Sequence, residues 1–309
     1  LLETLFDISI IEGTTMKKTT LALTLTGLCL LALLAGADDK KKAGILFGGN
    51  EKLMRKVGLQ LYSLRNQFKS DLPGTLAKVK QMGLVNVELA GTYGLTPEQF
   101  KAELDRAGLR PVSMHAGYEK LRDDLSSVIK EAKTFGVEYV GCAWIPHGKT
   151  FTEDDCNRAI AHFNEWGERL GKEGLRFFYH IHGYEFQPTE GGTLFDKLVA
   201  GTRPQHVALE MDVFWVVWPG QDPVKLMQKY PKRVVLLHLK ELRKGMNGNL
   251  SGGAPPEAET ALGEGQVNWP AVLREAERQG VKYMFIEDET PQVERQVPVS
   301  LQYLRTIRY

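Results

Sequence analysis

A chain of 309 residues with 39 Lys+Arg against 38 Asp+Glu, 43% hydrophobic and 25% charged, has the composition of a globular protein and excludes a disordered or collagen-like one. A net charge of +1 leaves no basic surplus for a dedicated nucleic-acid binder. Of the three cysteines, Cys29 falls in the leader described next, and Cys142 and Cys156 are too few for a disulfide framework or a Cys-rich zinc site, so both are expected as free thiols.

In chain order the first element is that leader. Met16-Lys17-Lys18 opens a basic n-region, Leu21 to Leu34 is almost wholly apolar, and Ala35-Gly36-Ala37 ahead of Asp38-Asp39 is an A-x-A cleavage site. Residues 16–37 read as a secretory signal peptide, which predicts export to the periplasm and no stable membrane insertion after cleavage. The rival, an uncleaved anchor, needs roughly 20 apolar residues and finds fewer. Residues 1–15 carry three acidic and no basic residues, which does not suit an n-region, so they read as a non-native upstream extension with translation starting at Met16. The polar, Lys- and Gly-containing stretch 38–56 reads as a flexible linker.

From Val57 onward, short apolar runs alternate with amphipathic stretches. The runs predict strands over 57–63, 86–90, 110–115, 139–143, 176–180, 206–212, 233–238 and 283–287. The intervening stretches predict helices over 75–82, 97–107, 121–135, 154–172, 223–229, 270–279 and 293–305, with a weaker one near 193–199. Gly83, Gly108, Gly136, Gly174 and Gly280 each stand just past a helix end. Eight strand–helix units without a GxGxxG turn after the first strand predict a single-domain (β/α)8 TIM barrel over 57–309 rather than a doubly wound sheet. Arg243 to Glu259, rich in Gly, Asn, Ser and Pro, is too long for an idle βα loop and is expected to act as a substrate lid.

Barrel enzymes draw catalytic groups from the carboxyl ends of their strands. Here three consecutive runs end in Asp212, His238 and Glu287, and the run before them carries Tyr179-His180-Ile181-His182-Gly183-Tyr184-Glu185. A lone acid or histidine ending a strand is more often a satisfied polar group than a ligand. Three in a row beside a His-rich fourth reverse that preference and predict a divalent metal, Mn, Co, Zn or Mg. His180 and His182 share one face of an extended strand, and the residues alone do not choose between them.

These motifs, together with Val57-Gly58-Leu59-Gln60-Leu61-Tyr62-Ser63-Leu64-Arg65, Val87-Glu88-Leu89-Ala90-Gly91, Met211-Asp212-Val213-Phe214-Trp215, Leu237-His238-Leu239-Lys240-Glu241, Gly263-Glu264-Gly265 with Trp269, and Phe285-Ile286-Glu287-Asp288-Glu289, make the chain resemble the sugar phosphate isomerase/epimerase family with the xylose isomerase-like barrel. The resemblance implies a divalent metal on Asp212, His238, Glu287 and a strand-five residue. His182 is placed in that fourth position, with His180 and Glu185 as the alternatives, and the histidine pair stands where many epimerase relatives carry a ligating glutamate. Asn268, where Asp is common, is a milder departure.

Such a site predicts a sugar isomerase or epimerase that removes a proton next to a carbonyl through a metal-bound enediolate. Glu287 and His180 are the candidate bases and Lys240 a third catalytic group. Glu88, His115, Glu185, Trp215 and Glu264 are candidate substrate contacts. Export favours an unphosphorylated carbohydrate, an unphosphorylated sugar or keto-sugar. The alternative is a periplasmic 3-keto-glycoside lyase, in which the C1 substituent leaves by β-elimination. A non-catalytic carbohydrate-binding barrel is disfavoured by the intact acid and histidine set.

Overall fold

The computed structural model describes residues 50–309. The upstream extension, the signal peptide and most of the expected linker lie outside the described residues. Eight parallel strands, β1 (Val57–Gln60), β2 (Asn86–Leu89), β3 (Arg110–His115), β4 (Tyr139–Cys142), β5 (Arg176–His180), β6 (Val207–Asp212), β7 (Val234–Leu239) and β8 (Tyr283–Ile286), close into a barrel. Closure is made by β1, where Gly58 stands opposite Phe285 of β8 on one side and Asn86 of β2 on the other, so no sheet edge remains. Helices α1 (Leu72–Gln81), α2 (Pro97–Ala107), α3 (Leu125–Phe135), α4 (Glu153–Lys172), α5 (Leu194–Gly201), α6 (Pro223–Lys229), α7 (Trp269–Gln279) and α8 (Val293–Thr306) connect and surround the strands. The chain is the (β/α)8 barrel its periodicity predicts. None of the helices among the described residues is long and apolar enough to cross a membrane.

The helices follow from local chemistry. In α4, Thr152 and Asp155 form a reciprocal capping box, and Cys156, Ala159, Phe163, Trp166 and Leu170 recur at helical spacing as a buried stripe against the barrel. Gly108 and Gly136 close α2 and α3 in left-handed backbone, at φ 66° and 70°.

Most boundaries shift by a residue or a few, and three departures from expectation have a local cause. β1 stops at Gln60 rather than Ser63, because the Gln60 side chain accepts from the Tyr62 amide at 3.1 Å and starts a 3-10 turn over Leu61–Leu64. The helix expected over 121–135 divides at Asp124, whose carboxylate accepts from the Ser127 amide at 3.1 Å and caps α3. Residues 50–56, expected in the linker, belong to the barrel. Glu51–Met54 forms a helical turn, Leu53 is buried, and Asn50 Nδ2 donates to the Leu304 carbonyl at 3.0 Å.

Inside the barrel, Val112, Tyr139, Phe178, Ala208, Leu236 and Phe285 form an apolar floor. Polar side chains begin above it. The parallel register shifts between Val87 and Glu88 and again between Leu209 and Glu210. A bulge re-aims the residue that follows it, and here both following residues are glutamates that are wholly buried. After β7, Glu241–Leu242 pairs antiparallel with Glu259–Thr260, so the long loop has a hydrogen-bonded stem.

Candidate metal centre and active site

Residues two apart on a strand share a face, so β6 presents Glu210 and Asp212, β7 presents His238 with Lys240 beyond it, and β8 leads into Glu287 and Glu289. His238 is the hub. Its Nε2 lies 2.6 Å from Glu88 Oε1 and 3.2 Å from Glu210 Oε2, while its Nδ1 lies 3.1 Å from Glu287 Oε2 and 3.7 Å from Asp212 Oδ2. Burial works against the charged ring, but the carboxylates of Glu210, Glu287 and Glu88 outweigh it and hold its pKa well above the usual histidine range. A point that attracts a proton so strongly attracts a divalent cation for the same reason.

The donor atoms fit one. Asp212 is wholly buried and its Oδ1 caps the following turn by accepting from the Trp215 amide at 3.2 Å, yet Oδ2 has no partner. Asp212, His238 and Glu287 offer ligand atoms that all lie within 4.8 Å of one another. Two ligands about 2.0–2.1 Å from a tetrahedral zinc stand roughly 3.3 Å apart, and the 3.1 and 3.7 Å separations bracket that value. With a cation held there, His238 would take the common arrangement of one ring nitrogen toward the metal and the other toward a carboxylate, here Glu88.

On β5 it is His180, expected as a base, that lies beside Asp212. His180 Nε2 lies 4.0 Å from Asp212 Oδ2. His182, expected as ligand, instead stacks on Trp215 with ring centroids 4.4 Å apart, and its Nδ1 is buried without a partner. Burial, with His180 and Lys240 nearby, holds the His182 pKa well below the ordinary value, so the ring is neutral. Lys240 is sealed from solvent. Its Nζ sits 2.6 Å from Glu289, 3.4 Å from Glu287 and 3.5 Å from Glu259, over the rings of Phe214 and Trp215.

Above the centre opens a cavity of about 640 Å³, whose lining includes His115, His180, His182, Trp215 and Glu287. Gly252, Gly253, Ala254 and Pro256 of the long loop line it too. Three expected substrate contacts are elsewhere. Glu88 is wholly buried beneath the centre, where it accepts from Gln60 Nε2 at 2.7 Å and from Ser113, and it orients His238. Glu185 is wholly buried with its carboxylate on the Tyr179 hydroxyl and the His182 amide, and Tyr179 packs outside the strands against Phe163. Glu264 is exposed and bonds Thr260 at 3.2 Å, because its turn after the loop points away from the cavity.

Residue reading from strand ends misses Glu210, Glu259 and Glu289. Glu210 stands two residues before Asp212 on the same face, a period-two signal that marks it. Glu259 closes the long loop and lines the cavity, and burial lifts its carboxyl to about 7 although Lys240 pulls the other way.

Residues 76–307 match the family of xylose isomerase-like TIM barrels. The chain belongs to that family. Among relatives of this xylose isomerase-like barrel, an inosose dehydratase from Clostridium botulinum is 30% identical over 148 residues, 45% of this chain and 49% of the relative. An inosose dehydratase from Geobacillus kaustophilus is 25% identical over 206 residues, 56% and 66% of the two chains. The matched stretch thus spans about half to two thirds of the length of these curated relatives. Among solved structures, a sugar phosphate isomerase/epimerase from Parabacteroides distasonis is 26% identical with a TM-score of 0.68, covering 81% of this chain and 98% of that one. The IolI protein, described with a bound zinc atom, shares the fold at 14% identity and a TM-score of 0.61, covering 81% and 95%. The xylose isomerase-like barrel therefore has both dehydratase and isomerase/epimerase relatives.

Proposed function

We propose that the chain is a divalent-metal-dependent lyase that removes a proton next to the carbonyl of an unphosphorylated keto-sugar or keto-polyol and expels the oxygen substituent β to that carbonyl. The observation that carries the reading is the unpartnered Asp212 Oδ2 beside His238 Nδ1 and Glu287 Oε2 at the base of an acid-lined cavity. Glu119, Glu259, Glu287 and Glu289 line that cavity, and its guanidinium, Arg65, is already placed over Tyr62 and 3.7 Å from Glu289. Among the described residues that line it, Arg65 and His115 both already face carboxylates, so a phosphate dianion would have to compete for them. The leader at 16–37 adds that the reaction takes place outside the cytoplasm, in keeping with an unphosphorylated substrate.

Asp212, His238 and Glu287 would hold a divalent cation, which would supply Lewis acidity next to the substrate carbonyl. The neutral His182 ring, held against Trp215, takes the proton from the neighbouring carbon. As the carbon–carbon double bond forms, the bond to the β oxygen breaks. Glu259, with a carboxyl near 7, delivers a proton to the departing oxygen, which leaves as water or an alcohol. One proton is removed and one returned, so no oxidant is needed. The isomerase or epimerase reading shares the first half. Glu259 and the dehydratase relatives favour elimination as the second.

The test is to incubate protein loaded with zinc, manganese or cobalt with an inosose and with a 3-keto-glucoside in deuterated water. A conjugated enone with release of water or aglycone, abolished in His182→Gln and slowed in Glu259→Gln, supports the proposal. Deuterium beside the carbonyl with a new epimer or isomer and no enone overturns it in favour of an isomerase.

A further inference from the structure

A single carboxylate oxygen inside the barrel serves three histidines. Glu210 Oε2 lies 3.0 Å from His115 Nε2, 3.1 Å from His180 Nδ1 and 3.2 Å from His238 Nε2. Glu210 is wholly buried and follows a register shift that aims it inward. His238 has a nearer acceptor in Glu88 at 2.6 Å, whereas Glu210 is the acceptor that the structure gives His180. With Nδ1–H committed to Glu210, the lone pair of His180 is on Nε2, the atom 4.0 Å from the unpartnered Asp212 Oδ2.

We propose that Glu210 is a positioning residue that locks His180 as its Nδ1–H tautomer and thereby makes His180 Nε2 the fourth donor of the metal centre, beside Asp212, His238 and Glu287. The inference rests on the metal-centre reading above and specifies its β5 ligand. No carboxylate of this segment competes, since Glu185 is turned to Tyr179 and His182. The resulting set, two imidazoles and two carboxylates, favours zinc, cobalt or manganese over magnesium, because imidazole is a poorer ligand for a hard cation.

Zinc titration of the chelator-stripped protein is paired with long-range proton–nitrogen correlation of zinc-loaded, 15N-histidine-labelled protein. The expected spectrum has a protonated Nδ1 and a metal-shifted Nε2 on His180, and the reverse pair on His238. Glu210→Leu is expected to weaken zinc binding about 10- to 100-fold and to erase the His180 Nδ1–H signal. Glu210→Gln, which keeps an acceptor oxygen, is expected to recover most of both, a rescue that a merely structural role does not require. If Glu210→Leu does not fold, the wild-type spectrum and Glu210→Gln still decide. A His180 ring with Nε2–H in the zinc-loaded wild type, or zinc affinity lost in His182→Gln but kept in His180→Gln, overturns the inference while leaving the metal centre intact. Wild-type protein that takes up no zinc, manganese or cobalt overturns the metal centre, and the inference with it.

Discussion

At the scale of single residues, this barrel sets charge by the neighbours a buried side chain meets rather than by its identity. Glu185 and Glu210 are both wholly buried, yet Glu210 faces three imidazoles and Glu185 faces none. Burial opposes ionisation of Glu210, but its histidines hold it well below the carboxylate range. Burial lifts Glu185 to about 7 against the pull of Tyr179 and the His182 amide. The folded state therefore favours protonated Glu185. That contribution is complete below the ordinary pKa of 4.5 and is lost as the pH rises through about 7. Glu185→Gln keeps the acceptor oxygen and cannot ionise. Between about pH 5 and about pH 8 its stability should gain on the wild type by about 3 kcal/mol, read as several degrees in thermal unfolding. A difference that is flat with pH removes this account of Glu185.

At the scale of elements, two places show how strands and loops hold the site. In β4 a side chain at Gly141 would meet the ring of Phe178 at 2.1 Å, where Phe178 helps to plug the barrel floor beneath the polar layer. Gly141→Ala is expected to cost about 1–3 kcal/mol, measured by chemical denaturation, because neither the strand nor the packed ring has room to yield. After β7, the Glu241 carboxylate accepts from Trp269 Nε1 at 2.6 Å and from the amides of Gly263 and Val267 at 3.0 and 3.1 Å. It ties the turn before α7 to the stem of the long loop. Glu241→Ala leaves three donors unpaired and is expected to destabilise by about 3 kcal/mol or more, with hydrogen exchange rising first over 259–268. Unchanged protection there would show that the stem does not depend on Glu241.

At the scale of the whole molecule, the polar layer and the fold are coupled through any cation that the layer binds. A ligand bound only by the native state stabilises it by about 2.7 kcal/mol at a hundred times its Kd. Zinc is therefore expected to raise the melting temperature, EDTA to reverse the rise, and Asp212→Asn to abolish it, since Asn keeps the cap to the Trp215 amide but loses the charge of Oδ2. Equal zinc protection of the variant would remove Asp212 from the centre.

The fold was legible in the sequence because it is written in local periodicity. Apolar runs, helical stripes such as 156-159-163-166-170 and the glycines past helix ends repeat within a window that one element spans, and β3, β5 and α2 begin and end where that pattern places them. The three acids and histidines that end β6 to β8 were legible for the same reason. Only the tertiary structure decided what each inward residue faces. The order of His180 and His182, the turning of Glu185 and Glu264 away from the cavity, and the gathering of three histidines on Glu210 depend on register shifts and on neighbours up to 150 positions distant, as from Glu88 to His238. A strand's alternation determines which face a side chain takes. Closure of the barrel determines the partner it finds there, and with it the proton or cation it holds.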